Sequence, residues 1–125
     1  MDERVTVYET VGGMPFFEAL VDRFYHGVEG DEALRPMYPE DLGPPRRHLA
    51  LFLAQYWGGP TTYGEERGHP RLRMRHAPFQ VDPLARDRWL HHMRAAVAEL
   101  DPPPEVAEAF ERYFAYAAEA MRNAD

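Results

Sequence analysis

Residues 56–79 read Tyr56-Trp57-Gly58-Gly59-Pro60-Thr61-Thr62-Tyr63-Gly64-Glu65-Glu66-Arg67-Gly68-His69-Pro70-Arg71-Leu72-Arg73-Met74-Arg75-His76-Ala77-Pro78-Phe79. Gly58-Gly59-Pro60 is a strong helix terminator. The stretch from Pro60 to His69 has no apolar period and reads as a loop. Pro70 to His76 or Ala77 fits a short Arg-rich helix that Pro78 ends. On that helix Leu72 and His76 are four apart and share a face, while Arg71, Arg73 and Arg75 mostly point elsewhere. Two readings of His76 stand side by side. It is a C-terminal His interacting with the helix dipole, or it supplies one neutral imidazole to a metal already held by another scaffold. Haem is such a case, because the porphyrin provides four ligands and one protein His is enough. Arg67, Arg71, Arg73 and Arg75 fall close together, as a solvated face or as partners for an anion such as the haem propionates.

Outward from this block the periodicity is helical nearly throughout. Thr6 suits the cap of a short turn ending at Gly12-Gly13. Pro15 suits the first turn of a helix running to about Glu29, with Phe16, Phe17, Leu20, Val21, Phe24, Tyr25 and Val28 as its apolar stripe. Asp31 caps a short segment that Pro36 limits, ending near Tyr38. A third helix begins at Pro44-Pro45 and carries Leu49, Phe52, Leu53, Tyr56 and Trp57. Beyond the opening block, Asp82-Pro83 starts a long helix with Trp89, Leu90, Met93, Val97 and Leu100 inward. Asp101-Pro102-Pro103-Pro104 breaks the chain before a last helix bearing Val106, Phe110, Tyr113, Phe114, Ala117 and Met121. The expectation is an all-α domain over residues 1–125: four substantial helices around one core, with breaker loops at Pro39–Gly43 and Pro60–His69 of the kind that often serve a site.

Composition narrows the chemistry. The 125 residues carry a net charge of −7, and all 14 cations are Arg. There is no Lys, Cys, Ser or Ile. That removes a Ser or Cys nucleophile, a Lys Schiff base, a Walker-type phosphate loop, disulfides and thiolate metal sites. The acidic total argues against a general nucleic-acid binder. No apolar run approaches the roughly 18 residues of a membrane helix, and the acidic start Met1-Asp2-Glu3 is not followed by an apolar signal core. A cytoplasmic protein is expected. Aromatic residues make up 13% of the chain, which suits an aromatic core or one wrapped around a large flat ligand.

None of His26, His48, His69, His76, His91 and His92 forms an HExxH or similar pair on one helix face, so a metal held by protein ligands alone is not expected. His69 reads as a loop or cap residue and His91-His92 as mostly surface. Tyr25 lies on a buried stripe, where a phenol needs a hydrogen-bond partner. For Tyr25, Tyr38 and Trp89 the ordinary reading is a packed aromatic bonded to backbone. The other is a polar donor aimed at a ligand.

Tyr56-Trp57-Gly58-Gly59-Pro60, Tyr63, and Gly68-His69-Pro70 through Arg75-His76-Ala77-Pro78-Phe79 resemble the group II truncated haemoglobins. Val11-Gly12-Gly13, Arg23-Phe24-Tyr25, Met37-Tyr38-Pro39-Glu40 and Trp89 follow the same family pattern in order, so the resemblance covers essentially the whole chain. It implies a truncated globin fold, a two-on-two helical sandwich enclosing haem b. His76 matches the proximal iron ligand, and Tyr25, Tyr38 and Trp89 match the distal polar residues. Phe52, Leu53, Phe79 and Met93 match or neighbour apolar positions that line the haem, and Leu72 shares the His76 face. The chain departs from the pattern at Pro45, where globins often carry a gate residue, commonly His. Neither Pro45 nor Leu49, one turn on, offers a donor. His48 stands near where relatives place a propionate-binding cation, which implies a weaker or pH-sensitive anchor. Tyr63 and Arg75 are the other propionate candidates.

The resemblance implies a protein that binds O2, CO, NO or other small haem ligands, with three donors slowing oxygen release. An enzyme on the same scaffold, an NO dioxygenase or a peroxidase-like catalyst, is the alternative, and its electron donor is not legible. A cofactor-free helical interaction module is the third reading. A homodimer stays open, since group II relatives include dimers.

Overall fold

The structure is a computed structural model that describes residues 5–125; the acidic start Met1-Asp2-Glu3 lies outside the described residues. Thr6 accepts the Glu9 N–H while the Glu9 carboxylate accepts the Thr6 N–H, a closed capping box that starts α1 (Val7–Thr10). Gly12 and Gly13 take positive φ values of 95° and 84° and turn the chain into α2 (Met14–Glu29). A single 3-10 turn at Arg35–Met37 follows. Then come α3 (Gly43–Tyr56), α4 (Thr62–Arg67), α5 (Leu72–His76), α6 (Pro83–Leu100) and α7 (Pro104–Met121). No strand occurs among the described residues, and none of their helices is long and apolar enough to cross a membrane.

The expected four long helices are present within a residue or two of their anticipated limits. The segment read as a loop from Pro60 to His69 is corrected: it contains α4. Six residues are too few to display a helical period, and Gly64 within it weakens the propensity. Tertiary contacts supply the difference. Gln55 Oε1 accepts the Gly64 N–H at 2.8 Å, and Arg47 grips Glu66 with two bonds of 2.6 and 2.8 Å, so α4 is tied to α3 from both sides.

The helices form two pairs. Helix α2 packs on α3, α6 packs on α7, and α2 joins the pairs by packing on α6. Phe17, Leu20, Phe24, Leu53, Met93 and Phe110 are fully buried where these faces meet, each side chain contributing roughly 1.5–3 kcal/mol of burial. Helix α1 lies on the α3–α4 corner, where Gly58-Gly59 makes room for it. A Cβ on Gly58 would meet the Thr6 side chain at 2.6 Å, and one on Gly59 the Tyr8 ring at 2.5 Å.

Candidate functional site

An apolar cavity of about 380 Å³ opens between the two helix pairs. Helix α3 lends it Pro45, His48, Leu49, Phe52 and Leu53; α4 lends Tyr63 and Arg67; α5 lends Leu72, Arg75 and His76. Tyr25, Tyr38, Phe79 and Trp89 complete the sequence-derived set on the same wall. Met93 is a correction. It is fully buried but belongs to the core between helices and does not line the cavity, because its inward position on α6 faces packed side chains rather than the open space.

His76 is held by its own short helix. Its Nδ1 lies 2.7 Å from the Leu72 carbonyl. A carbonyl only accepts, so Nδ1 carries the proton and Nε2 keeps a free lone pair. Helix α5 starts abruptly at Arg71, whose φ of 49° is left-handed, with the Arg71 N–H bonded to His69 Nδ1 at 3.0 Å. His69 is thus a loop residue bonded to the start of α5, the first of the two roles expected of it. The exit from α5 is clamped by a residue the sequence reading missed. Asn123 Nδ2 donates to Phe79 O at 3.0 Å and His76 O at 3.3 Å, and Asn123 Oδ1 accepts the Val81 N–H at 2.8 Å. A lone Asn after the last helix carries no sequence signal for such a bridge.

Three polar aromatics stand together on the wall. Tyr25 and Tyr38 meet edge to face, ring centroids 5.5 Å apart. Burial raises the Tyr25 phenol above its ordinary range, and neighbouring Tyr38 adds to this. Burial pushes Tyr38 up to about 12, partly offset by a hydrogen bond from Trp89. Both phenols are therefore protonated donors at neutral pH.

The cationic part of the wall differs from expectation. Of the four clustered Arg residues only Arg67 and Arg75 line the cavity; Arg71 is exposed and Arg73 donates to the Ala120 carbonyl on α7. Arg75 Nε is bonded to Pro70 O at 2.7 Å. Arg67 lies over the Tyr63 ring, 5.9 Å from its centroid, and Arg67 Nη1 is 3.3 Å from His48 Nε2. Burial first, then the charges of Arg67, Arg47 and Arg75, hold His48 below its ordinary pKa. His48 is thus a neutral acceptor, and the charge near it belongs to Arg67. Arg67 Nε is buried without a partner, an orphan donor beside the cavity. Reading Thr62–Arg67 as helical would have exposed the Tyr63–Arg67 spacing of four that brings both to one face.

His91-His92, read as surface, is half corrected. His91 is exposed, but His92 is tucked inward with Nε2 2.6 Å from Asp31 Oδ2.

A family model for bacterial-like globins matches residues 6–123. Group 2 truncated hemoglobin YjbI of Bacillus subtilis is 41% identical over 101 residues, 81% of this chain and 76% of its own. A thermostable hemoglobin from the actinobacterium Thermobifida fusca superposes with a TM-score of 0.92 at 57% identity, covering 94% of this chain and 97% of that one. The truncated oxygen-avid haemoglobin from Bacillus subtilis does so with a TM-score of 0.88 at 38% identity, over 93% and 98%. With the helix pairs, the cavity and these likenesses together, the chain belongs to the bacterial-like globins, among the group II truncated haemoglobins.

Proposed function

We propose that the chain binds haem b in this cavity through His76 and holds oxygen, with CO and NO as further ligands, by hydrogen bonds from Tyr25, Tyr38 and Trp89. Globin membership implies haem, and the residues fit one. The walls are mostly apolar, as the faces of a tetrapyrrole require. Arg67, with its orphaned Nε, and Arg75 give the cavity a cationic edge for two propionates. The chain has no Cys and so no thioether anchor, which favours non-covalent haem b.

Haem, when bound, supplies an iron that takes a diatomic ligand. The chain does the rest. Leu72 O holds the His76 ring in the tautomer that leaves Nε2 for the metal, the outer-shell contact typical of ligating His. Tyr25, Tyr38 and Trp89 offer two O–H donors and one N–H donor on a mostly apolar wall, where hydrogen bonds to a ligand gaining negative charge are strong. Slow oxygen release follows, and the likeness to a protein described as oxygen-avid supports it.

The observation that carries this reading is the meeting, in one apolar cavity, of a His with a committed tautomer and three donors, Tyr25 buried and Tyr38 and Trp89 partly buried. The test is an ultraviolet–visible spectrum of the ferric, ferrous and CO-bound forms. A Soret band in the purified protein should vanish in His76→Ala; haem uptake unaffected by that substitution overturns the assignment.

One observation favours redox catalysis on the same scaffold as a second reading. Tyr113, on the cavity wall, lies against the half-exposed Tyr56 with ring centroids 4.2 Å apart, a short aromatic path from site to surface. NO or peroxide turnover with a reductant, above the rate of free haemin and diminished in Tyr56→Phe, distinguishes it.

A further inference from the structure

Asp31 is the one buried charged side chain among the described residues, and it lies outside the cavity wall. Its Oδ1 accepts the Ala33 N–H at 2.9 Å. Its Oδ2 receives Arg88 Nε at 2.8 Å and His92 Nε2 at 2.6 Å. Burial works against its charge, but the bonds from Arg88, His92 and Ala33 outweigh it and hold the carboxyl well below the usual range. An ionised carboxylate only accepts, so His92 Nε2 carries a proton toward it.

The two partners of Asp31 bracket Trp89 on α6. Arg88 precedes it and His92 follows by three, within one turn of the helix. From Asp31 the chain runs directly to Tyr38. The Asp31 carbonyl accepts the Leu34 and Arg35 N–H groups at 3.1 and 2.8 Å. The Arg35 guanidinium then closes on the carbonyls of Tyr38, Pro39 and Glu40 at 3.3, 3.0 and 2.9 Å. At its far end this segment places Tyr38 on the same cavity wall as Trp89 of α6. Segment 31–38 is thus tied to α6 at Asp31 and carries Tyr38 at its other end. The His92 ring is also locked from the other side. A Cβ on Gly27 would lie 2.3 Å from His92 Nδ1, so α2 is cut back to admit the ring two residues after Tyr25.

We propose that Asp31, with Arg88 and His92, is the positioning group of the distal donors, holding the Tyr38 segment on α6 so that the Tyr38 hydroxyl and the Trp89 indole keep their aim. The inference rests on the reading of Tyr25, Tyr38 and Trp89 as ligand donors. None of the three positioning residues touches the ligand space; they act through Tyr38.

The test uses the haem-loaded protein. The C–O stretching frequency of its ferrous CO complex reports the polarity of donors around the ligand, and the oxygen dissociation rate reports their strength. His92→Leu, which removes the donor to Asp31, should move the C–O band upward and broaden it. It should also speed oxygen release roughly 5-fold, the weight of about one hydrogen bond. His92→Gln keeps an N–H for Asp31 and should restore both readouts. Asp31→Asn serves the same comparison where His92→Leu does not accumulate in folded form. A purely structural clamp would lower the melting temperature in these variants and leave the band and rate alone; that result, with both readouts changed in Tyr38→Phe, overturns the inference. If Tyr38→Phe itself changes neither, the donor reading beneath it falls as well.

Discussion

At the scale of single residues, the site depends on which protons are held and where. Tyr25 and Tyr38 carry O–H donors at neutral pH, and burial extends their protonated range into alkali. Tyr25→Phe and Trp89→Phe should each raise the oxygen dissociation rate about 5- to 10-fold, about one hydrogen bond apiece, measured by stopped-flow displacement. Unchanged rates in both would remove the donor network. The same burial has an alkaline cost. Tyr38 keeps its proton in the fold up to about 12, against an ordinary value of 10.0. Above pH 10 the unfolded chain sheds a proton that the folded one retains. Stability is therefore full below pH 10 and is lost as pH rises through about 12. Circular dichroism across this window should show Tyr38→Phe less sensitive to alkali than the parent. Tyr25 is legible at this scale because it sits on the apolar stripe of a long periodic helix, and His76 because of the motif that surrounds it. Arg67 is not, because its helix is too short to show a period.

At the scale of elements, the site is where α2, α3, α6 and α7 meet, with α4 packed on α3 and α5 on α7. The α2–α6 contact needs Gly27, because the His92 ring occupies the space a side chain would take. In an ordinary helix Gly→Ala gains up to about 1 kcal/mol. Here the overpacking should win, and Gly27→Ala should destabilise by about 1–3 kcal/mol in urea unfolding. A gain in stability would mean that the ring has room to move. Asp31 illustrates what an element-level reading can and cannot find. The sequence marks it as the cap of a short segment, and Oδ1 does accept the Ala33 N–H, though the 3-10 turn itself begins after Leu34. Its other oxygen pairs with residues 57 and 61 positions away, and no local rule reports that.

For the whole molecule, the haem site also interrupts the core. About 380 Å³ of mostly apolar space between the helix pairs is satisfied only when a large flat group fills it. Haem binding to the folded state alone adds about 4 kcal/mol at a thousand-fold excess over its Kd. For a chain of this length that amounts to about 10–20 °C. Extraction of haem should lower the thermal midpoint by this order, with the loss concentrated in hydrogen-exchange protection of α4 and α5, the short elements that line the cavity. A midpoint indifferent to haem would contradict the cavity assignment.

The sequence by itself determined the helical class, the four long helices and their inward faces, since apolar spacing and Pro-Gly punctuation are local properties. It also determined His76, Tyr25, Tyr38 and Trp89 as the residues to examine, through a motif long enough to resemble one family. Only the tertiary structure decided that Met93 belongs to the core and not to the cavity wall, that Arg67 and not His48 brings charge to the cavity edge, and that Thr62–Arg67 is a helix. It alone joined Asp31 to His92 and Asn123 to the exit of α5. These outcomes share one cause. Each depends on a contact between residues far apart in the chain, whose strength comes from burial and shape at the meeting point, and neither is encoded in the spacing of neighbours.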